Sequence, residues 1–500
     1  MGHPGAGRRA GRDHRQAAPG ARRRARRARL RRQARAARRR TVDQVAGGVP
    51  RASGERDGAL GRDRPQRRRG GAVTAPALGG TQRGADAALW ADFEALCGFG
   101  GRVAGSPGER AALDWALGRL ADIATAVGAP PPRAWPVGYA GWLCRDARLV
   151  DLATGRALAC TPLLGTAATA GVEAEVIDLG RGHPDDFERA GDAIAGHIVL
   201  VRHEYPFAAG HVHRRVKLGH AQRRGAVGFL IAHPEPEAGP VSGSSGRDGG
   251  PGIPALGIDT AAAAALAQSP DGRPARARIV IDGEDVAGRT RILTLDLPGH
   301  GPDLVVVSAH VDGHPHGESA IDNATGVAVA LAVARSLAAG VAAQPRGLRV
   351  CLTSAEEWGL AGSRRWLAGL DDDERARMRL AVNLDSVGGA PSLTALTTDF
   401  SALDRFVRRV AAEEGLALAT HLPTMANSDH ANFAAHGIPA LRLIAGFDDP
   451  GTALRLLLTA RDRRDLVRPG ELAAAARTAA ALVTHALAAD ETTMTGLAAR

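Results

Sequence analysis

Several short segments of this sequence carry side chains suited to binding metal and moving protons. They are Ser308-Ala309-His310-Val311-Asp312, the Gly-bounded run from Gly317 to Gly326 with Asp322 inside it, Thr353-Ser354-Ala355-Glu356-Glu357, Asn383-Leu384-Asp385-Ser386, and Ser428-Asp429-His430. An imidazole followed two residues later by a carboxylate is the pattern of a metal-binding histidine with an orienting neighbour. Asp322 leads into a helix from a loop and has the reach to bridge two cations. In Glu356-Glu357 the carboxylates point different ways, so one binds metal while the other handles protons. Taken singly each segment is ordinary, since a His or Asp after a strand is usually a loop residue and Glu pairs are common where helices start.

The elements around these segments give them a shared place. From about residue 290 apolar runs alternate with amphipathic stretches: Leu304 to Val307, a helix from Gly326, Leu348 to Leu352, a helix from Leu360, Leu380 to Leu384, Ile438 to Ile444, and a helix from Glu471. That alternation predicts an α/β sheet covered by helices. Buried strands of such sheets are almost wholly apolar, so polar chemistry collects just past their carboxyl ends, where these segments fall.

Upstream, order is expected to begin near Ala85, with Leu89, Trp90, Phe93 and Leu96 at helical spacing. A second helix is marked by Ser106 as N-cap, Pro107 at the first position and Glu109 at the capping-box position, with Leu113, Leu117 and Leu120 on one face. Between about 140 and 285 short β-like runs separated by Gly and Pro predict a separate, largely β unit. The five histidines 197, 203, 211, 213 and 220 fall in it without Cys or carboxylate partners at ligand spacing, which argues against a second metal site there.

The net charge of +11 is misleading. Residues 1–70 hold 23 Arg and 5 acidic residues, a local +18, and the remainder carries −7. This Arg-, Gly-, Ala- and Pro-rich segment lacks the apolar residues for a core and reads as a disordered, solvated tail over residues 1–75. A phosphate-binding arm is the less favoured reading, so no nucleic-acid partner is expected. A start codon placed too early is the other bland explanation, in a chain with 63 Arg and one Lys, Lys217. No apolar run near the N-terminus fits a secretory signal, and no stretch approaches a membrane span. Cys97, Cys144, Cys160 and Cys351 form no paired framework, so a cytoplasmic location is expected.

In their order and context these segments resemble the two-zinc aminopeptidase family, metallopeptidase family twenty-eight, related to glutamate carboxypeptidase and glutaminyl cyclase. The likeness covers about 85–140 and 286–488, and Gly101-Arg102-Val103-Ala104-Gly105-Ser106 resembles the family's usual opening. The region between resembles a protease-associated (PA) domain through Gly196 to Arg202, Lys217, Ala221, Gly225 to Ile231 and Ile253-Pro254-Ala255-Leu256. The resemblance implies a three-layer α/β/α zinc-peptidase domain with a mixed sheet, interrupted over 141–285 by a β-rich insert that frames the cleft. It further implies a zinc exopeptidase acting on peptides, with His310 and Asp385 on one zinc, Asp322 bridging, Glu357 on the second, Glu356 as general base and Asp312 orienting His310. Asp429 and His430 are candidates for a supporting role behind the ligands.

One position departs from the family. Alignment on Thr459, Asp462 and Val467-Arg468-Pro469 puts Leu458 where the last zinc-binding His belongs, and Leu457 where some members place a tyrosine. Leucine cannot ligate zinc. The consequences to weigh are a weakened second site, rescue by His314, His316 or His430, and a non-catalytic peptide-binding protein on the same fold. Aminopeptidase is the favoured direction because the sequence shows no carboxylate-binding Arg cluster; a carboxypeptidase or amidase is the alternative.

Overall fold

The computed structural model describes residues 82–247, 249–267 and 273–500. The Arg-rich segment therefore lies outside the described residues.

The first helix, α1 (Gln82–Gly98), buries Leu89, Phe93 and Leu96. In α2 (Pro107–Ala126) the Ser106 hydroxyl caps the first turn by accepting the Glu109 N–H at 3.2 Å. Glu109 does not return the capping bond to Ser106. Its carboxylate is buried, accepting from the Thr290 and Ser354 hydroxyls and, at 3.3 Å, from the Gly105 N–H. Burial raises its pKa.

The insert opens with β1 (Arg133–Asp151), β2 (Ala157–Leu158), β3 (Cys160–Pro162) and β4 (Thr169–Asp178). It continues through α3 (Pro184–Ala190), β5 (Ile198–Arg202), α4 (Arg214–Arg223), β6 (Gly228–Ala232), β7 (Ala255–Ile258) and α5 (Thr260–Ala267), and closes with β8 (Arg276–Leu297). It is less purely β than its composition predicts. Strands β4, β5, β6 and β7 run parallel, and the β5-to-β6 crossover is the helix that carries Lys217 and Ala221. Nor is it separate: β8 pairs with β4 in its first half and with β10 (Gly347–Thr353) in its last, so one sheet runs through both regions. Strand β1 pairs antiparallel along nearly the whole of β8, with one register shift between Cys144 and Asp146.

The C-terminal half adds β9 (Leu304–His310), α6 (Thr325–Val341), α7 (Ala361–Gly369), α8 (Asp372–Ala376), β11 (Met378–Leu384), β12 (Leu393–Leu396), α9 (Ser401–Glu413), β13 (Leu418–His421), α10 (His430–Ala435), β14 (Ala440–Ala445), α11 (Pro469–Ala488) and α12 (Glu491–Gly496). Strand order is β13-β12-β14-β11-β9-β10-β8. The inner four are parallel, flanked by antiparallel neighbours on both sides, which makes the sheet mixed. Thr353 lies level with His310 and Asn383 with Ser308, so the carboxyl ends of β9, β10 and β11 open at one edge. Every residue of β9 and β10 is buried, as expected of strands with helices on both faces.

The segment Ala320–Val341 is long and apolar enough to cross a membrane, against the sequence expectation that no stretch is. Most of it is buried, packed on β9, β10 and β11 and covered by α1 and α11. An all-round apolar helix is what the centre of a large sheet protein requires.

Candidate metal centre

His310 ends β9 and is buried. Its Nδ1 lies 3.0 Å from the carbonyl oxygen of Asp312, which sets the ring and leaves Nε2 for the cleft. Nε2 is 3.1 Å from Asp322 Oδ1 and 3.6 Å from Asp385 Oδ1. The Asp312 carboxylate is farther from the imidazole, at 3.6 Å. It accepts instead the backbone N–H groups of Glu356, at 3.1 Å, and Glu357, at 3.2 Å. Asp312 thus orients His310 through its carbonyl, while its carboxylate holds the Glu pair.

Asp322 is placed by its neighbours. Asn323 donates to the Leu384 carbonyl and accepts the N–H groups of Gly326 and Ser386, fastening the loop to the end of β11. Asp462 accepts the N–H groups of Ile321 at 2.8 Å and Asp322 at 3.2 Å. Burial pushes the Asp462 carboxyl up to about 7. Arg442 lies 3.0 Å from Asp385 Oδ1; burial alone would raise the Asp385 pKa, but Arg442, then His310, hold it well below the usual range.

Glu356 and Glu357 are both buried, and burial with neighbouring negative charge pushes each well above the usual carboxylate range. Asp429 is buried behind them, accepting from the hydroxyls of Thr353 and Ser363 and so tying β10 to α7. His430 opens α10.

Two groups of ligand-type side chains converge among the described residues: His310, Glu356 and Asp385, and His314, Asp322 and Glu357. Within each, the ligand atoms lie within 4.8 Å of one another. Asp322 belongs to the second group yet sits beside His310 of the first, the position of a bridging carboxylate. His310 Nε2, His314 Nε2, Asp322 Oδ1 and Glu357 Oε1 are all buried without a hydrogen-bond partner. Such atoms are costly in a closed interior, and a cation resolves the cost. Imidazole nitrogen with carboxylate oxygen suits zinc, so the residues present fit that metal.

Leu457 and Leu458 line the same cleft, Leu458 in the left-handed region with φ of 65°. His316 is turned away, 2.9 Å from the Thr161 hydroxyl. His430 and the insert's histidines belong to neither ligand group.

The cleft, about 590 Å³ of open space, is walled by both regions. Insert residues Phe207, Arg214, Arg215 and Ser244 face Glu356, Glu357, Asp385 and Arg442. The sequence had shown no Arg cluster; folding brings Arg214, Arg215 and Arg442 to one cleft. Arg442 is spoken for by Asp385 and by Phe207, whose ring centre lies 5.0 Å away. Arg214 donates through Nε to the Ser244 carbonyl at 3.0 Å and makes no ion pair among the described residues. In a chain so rich in Arg, no local signal sets these three apart.

Residues 293–483 match the model of peptidase family M28, and residues 150–266 match that of the PA domain. The C-terminal region is thus similar to M28 peptidases, and the region before it to PA domains. Among curated relatives the chain is 27% identical to the probable lipoprotein aminopeptidase LpqL of Mycobacterium tuberculosis, over 57% of this chain and 55% of that protein. It is 29% identical to aminopeptidase YwaD of Bacillus subtilis, over 60% and 63%. The chain thus spans little more than half the length of these relatives. In fold it resembles a zinc aminopeptidase from Bacillus subtilis, with TM-score 0.64 at 23% identity, covering 83% of this chain and 97% of that one. A peptidase M28 precursor from Shewanella amazonensis gives TM-score 0.66 at 22% identity, over 82% and 97%.

Proposed function

We propose that this protein is a zinc-dependent exopeptidase that removes residues from the N-terminus of peptides. The observation that carries the reading is Asp322 Oδ1, buried without a hydrogen bond among the described residues, between two groups of side chains suited to binding metal in the wall of the cleft.

Bound there, a pair of zinc ions would supply the positive charge that polarises a scissile carbonyl and acidifies water. The chain's own residues do the rest. His310 and Asp385 hold one side of the centre and Glu357 the other, with Asp322 between. Glu356 faces the cleft without serving as the bridge. As general base its carboxylate takes a proton from the attacking water and passes it to the leaving amine. The Asp312 carboxylate keeps the Glu356 and Glu357 backbone at fixed distance from His310, so base and ligands move as one body. The insert's wall, with Phe207 and Arg214, closes the cleft opposite.

Arg214 favours a second reading, since a cleft guanidinium that makes no ion pair among the described residues is suited to a substrate carboxylate. A carboxypeptidase or acyl-amino-acid amidase would use it for the terminal carboxylate. An aminopeptidase would use it for a short or acidic peptide. The discriminating experiment is hydrolysis of aminoacyl-nitroanilides against N-acylated dipeptides by the zinc-reconstituted chain, with Glu356→Ala as blank. Cleavage of the nitroanilides alone, abolished in the blank, supports the aminopeptidase. Cleavage confined to N-acylated dipeptides moves the assignment to the second reading. Peptide binding without turnover of either leaves a non-catalytic protein on this fold.

A further inference from the structure

We propose that His314 is a protein ligand of the second metal site, replacing the imidazole that the family resemblance places at Leu458. This rests on the two-metal reading of the centre given above.

The geometry is local and specific. His314 Nε2 lies 2.6 Å from Glu357 Oε1, and the pair does not form a hydrogen bond. Two lone-pair atoms at that separation, both buried, repel unless a proton or a cation lies between them. His314, Asp322 and Glu357 form the second ligand group, and each offers an orphaned atom to it. The bland alternative is a core histidine satisfied by its surroundings. Its two ring nitrogens argue against that, because neither makes a hydrogen bond among the described residues although the residue is 2% exposed.

The loop that delivers His314 is held in place. The Gly313 N–H donates to the Arg102 carbonyl at 2.9 Å, and the His314 N–H to the Ser319 hydroxyl at 3.0 Å. Gly101 packs so closely beneath that a Cβ there would stand 2.6 Å from the His314 carbonyl oxygen. On its far side the loop lies against the chain following Leu458: the Glu318 N–H donates to the Asp462 carbonyl at 2.9 Å, and a Cβ at Gly317 would meet it at 2.8 Å. His314 therefore enters the centre beside the segment where the family's histidine would stand. A buried imidazole has replaced a lost one from a different loop, and Leu458 has become an apolar wall of the cleft. His316, two residues on, is held by Thr161 and does not compete.

The test uses the full chain stripped of metal and titrated with zinc, with metal content and second-equivalent affinity measured for wild type, His314→Ala, His314→Gln and His314→Ala/Leu458→His. Wild type is expected to hold two equivalents. Both single variants should weaken the second by more than about 100-fold, beyond the effect of an outer-shell change, and the double variant should recover it. Should the variants fail to fold, the cobalt-substituted wild type decides, because it should show two metal-bound imidazole N–H resonances. One resonance, fewer than two zinc equivalents in wild type, or unchanged affinity in folded His314 variants overturns the proposal. Two equivalents lost and regained as expected, with no peptide hydrolysed by any form, would uphold His314 as a ligand and remove the hydrolase reading instead.

Discussion

The Glu356 backbone N–H donates to the Asp312 carboxylate at 3.1 Å, joining the loop after β10 to the loop after β9. With the companion bond from Glu357, one side chain sets the distance between a histidine ligand and the paired glutamates. Asp312→Ala should therefore lower kcat/KM by about 10–100-fold, the scale of a lost outer-shell support. Steady-state kinetics beside zinc analysis checks it. Unchanged kinetics would mean that the Glu pair holds its place without Asp312.

Glu356→Gln keeps the shape of the side chain and removes its basicity. Turnover should fall by about 10²–10⁴-fold, the worth of a positioned general base, while zinc content stays at the wild-type level. Loss of metal together with activity would reassign Glu356 as a ligand, a role its place beside His310 and Asp385 also permits.

Arg102 is fully buried and donates to the carbonyls of Val311 and Ser319 at 2.8 Å, of Glu318 at 2.8 Å and of Leu96 at 3.1 Å. It is the clasp of the 311–319 loop. Arg102→Lys cannot reproduce that planar fork. Each charge-assisted bond lost costs about 1.5–3 kcal/mol, so the variant should be several kcal/mol less stable by denaturant unfolding. It should also bind the second zinc more weakly than the first. A variant as stable as wild type would show that water or other donors replace the fork.

In the insert, Lys217 Nζ donates to Glu204 Oε2 at 2.8 Å and to the carbonyls of Arg181 and Arg202. Burial alone would raise the Glu204 pKa, but hydrogen bonds from His183, Lys217 and Arg181 lower it from 4.5 to about 2. A carboxyl depressed on folding contributes stability that is present above its unfolded pKa and is lost as pH falls through the folded value. The difference in melting temperature between wild type and Glu204→Gln should thus be constant above about pH 5 and shrink between 4.5 and 2. A difference independent of pH across that window would sink the assignment.

Much of this molecule could be read from its sequence because its strongest signals are local. The unbroken apolar runs of β9, β10 and β11, and the Ser106-Pro107 start of α2, depend only on near neighbours. Strands β12 and β13 were not legible: each spans four residues, too few to show a period. The helix α4 was also missed, since Arg214, Arg215, His220 and Arg223 hide the apolar face formed by Leu218 and Ala221. At the centre, side-chain type at strand ends located His310, Asp322, Glu356, Glu357 and Asp385. The part played by His314 was open, because which of two loop histidines turns inward depends on contacts with Gly101, Ser319 and Thr161 from distant parts of the chain. The same reason kept Arg214 and Arg442 apart until folding joined them.

The ladder between β1 and β8 runs from the central sheet into the insert, from the Arg133–Thr294 pair to the Asp151–Ala277 pair. A domain hung on two loose linkers can swing as a rigid lid. This one is joined to the sheet by two long paired strands, β1 and β8, whose one register shift lies between Cys144 and Asp146. The wall that the insert gives the cleft, with Phe207 and Arg214, is therefore tied by strand pairing to the sheet that carries His310 and Glu356, and not by loops alone.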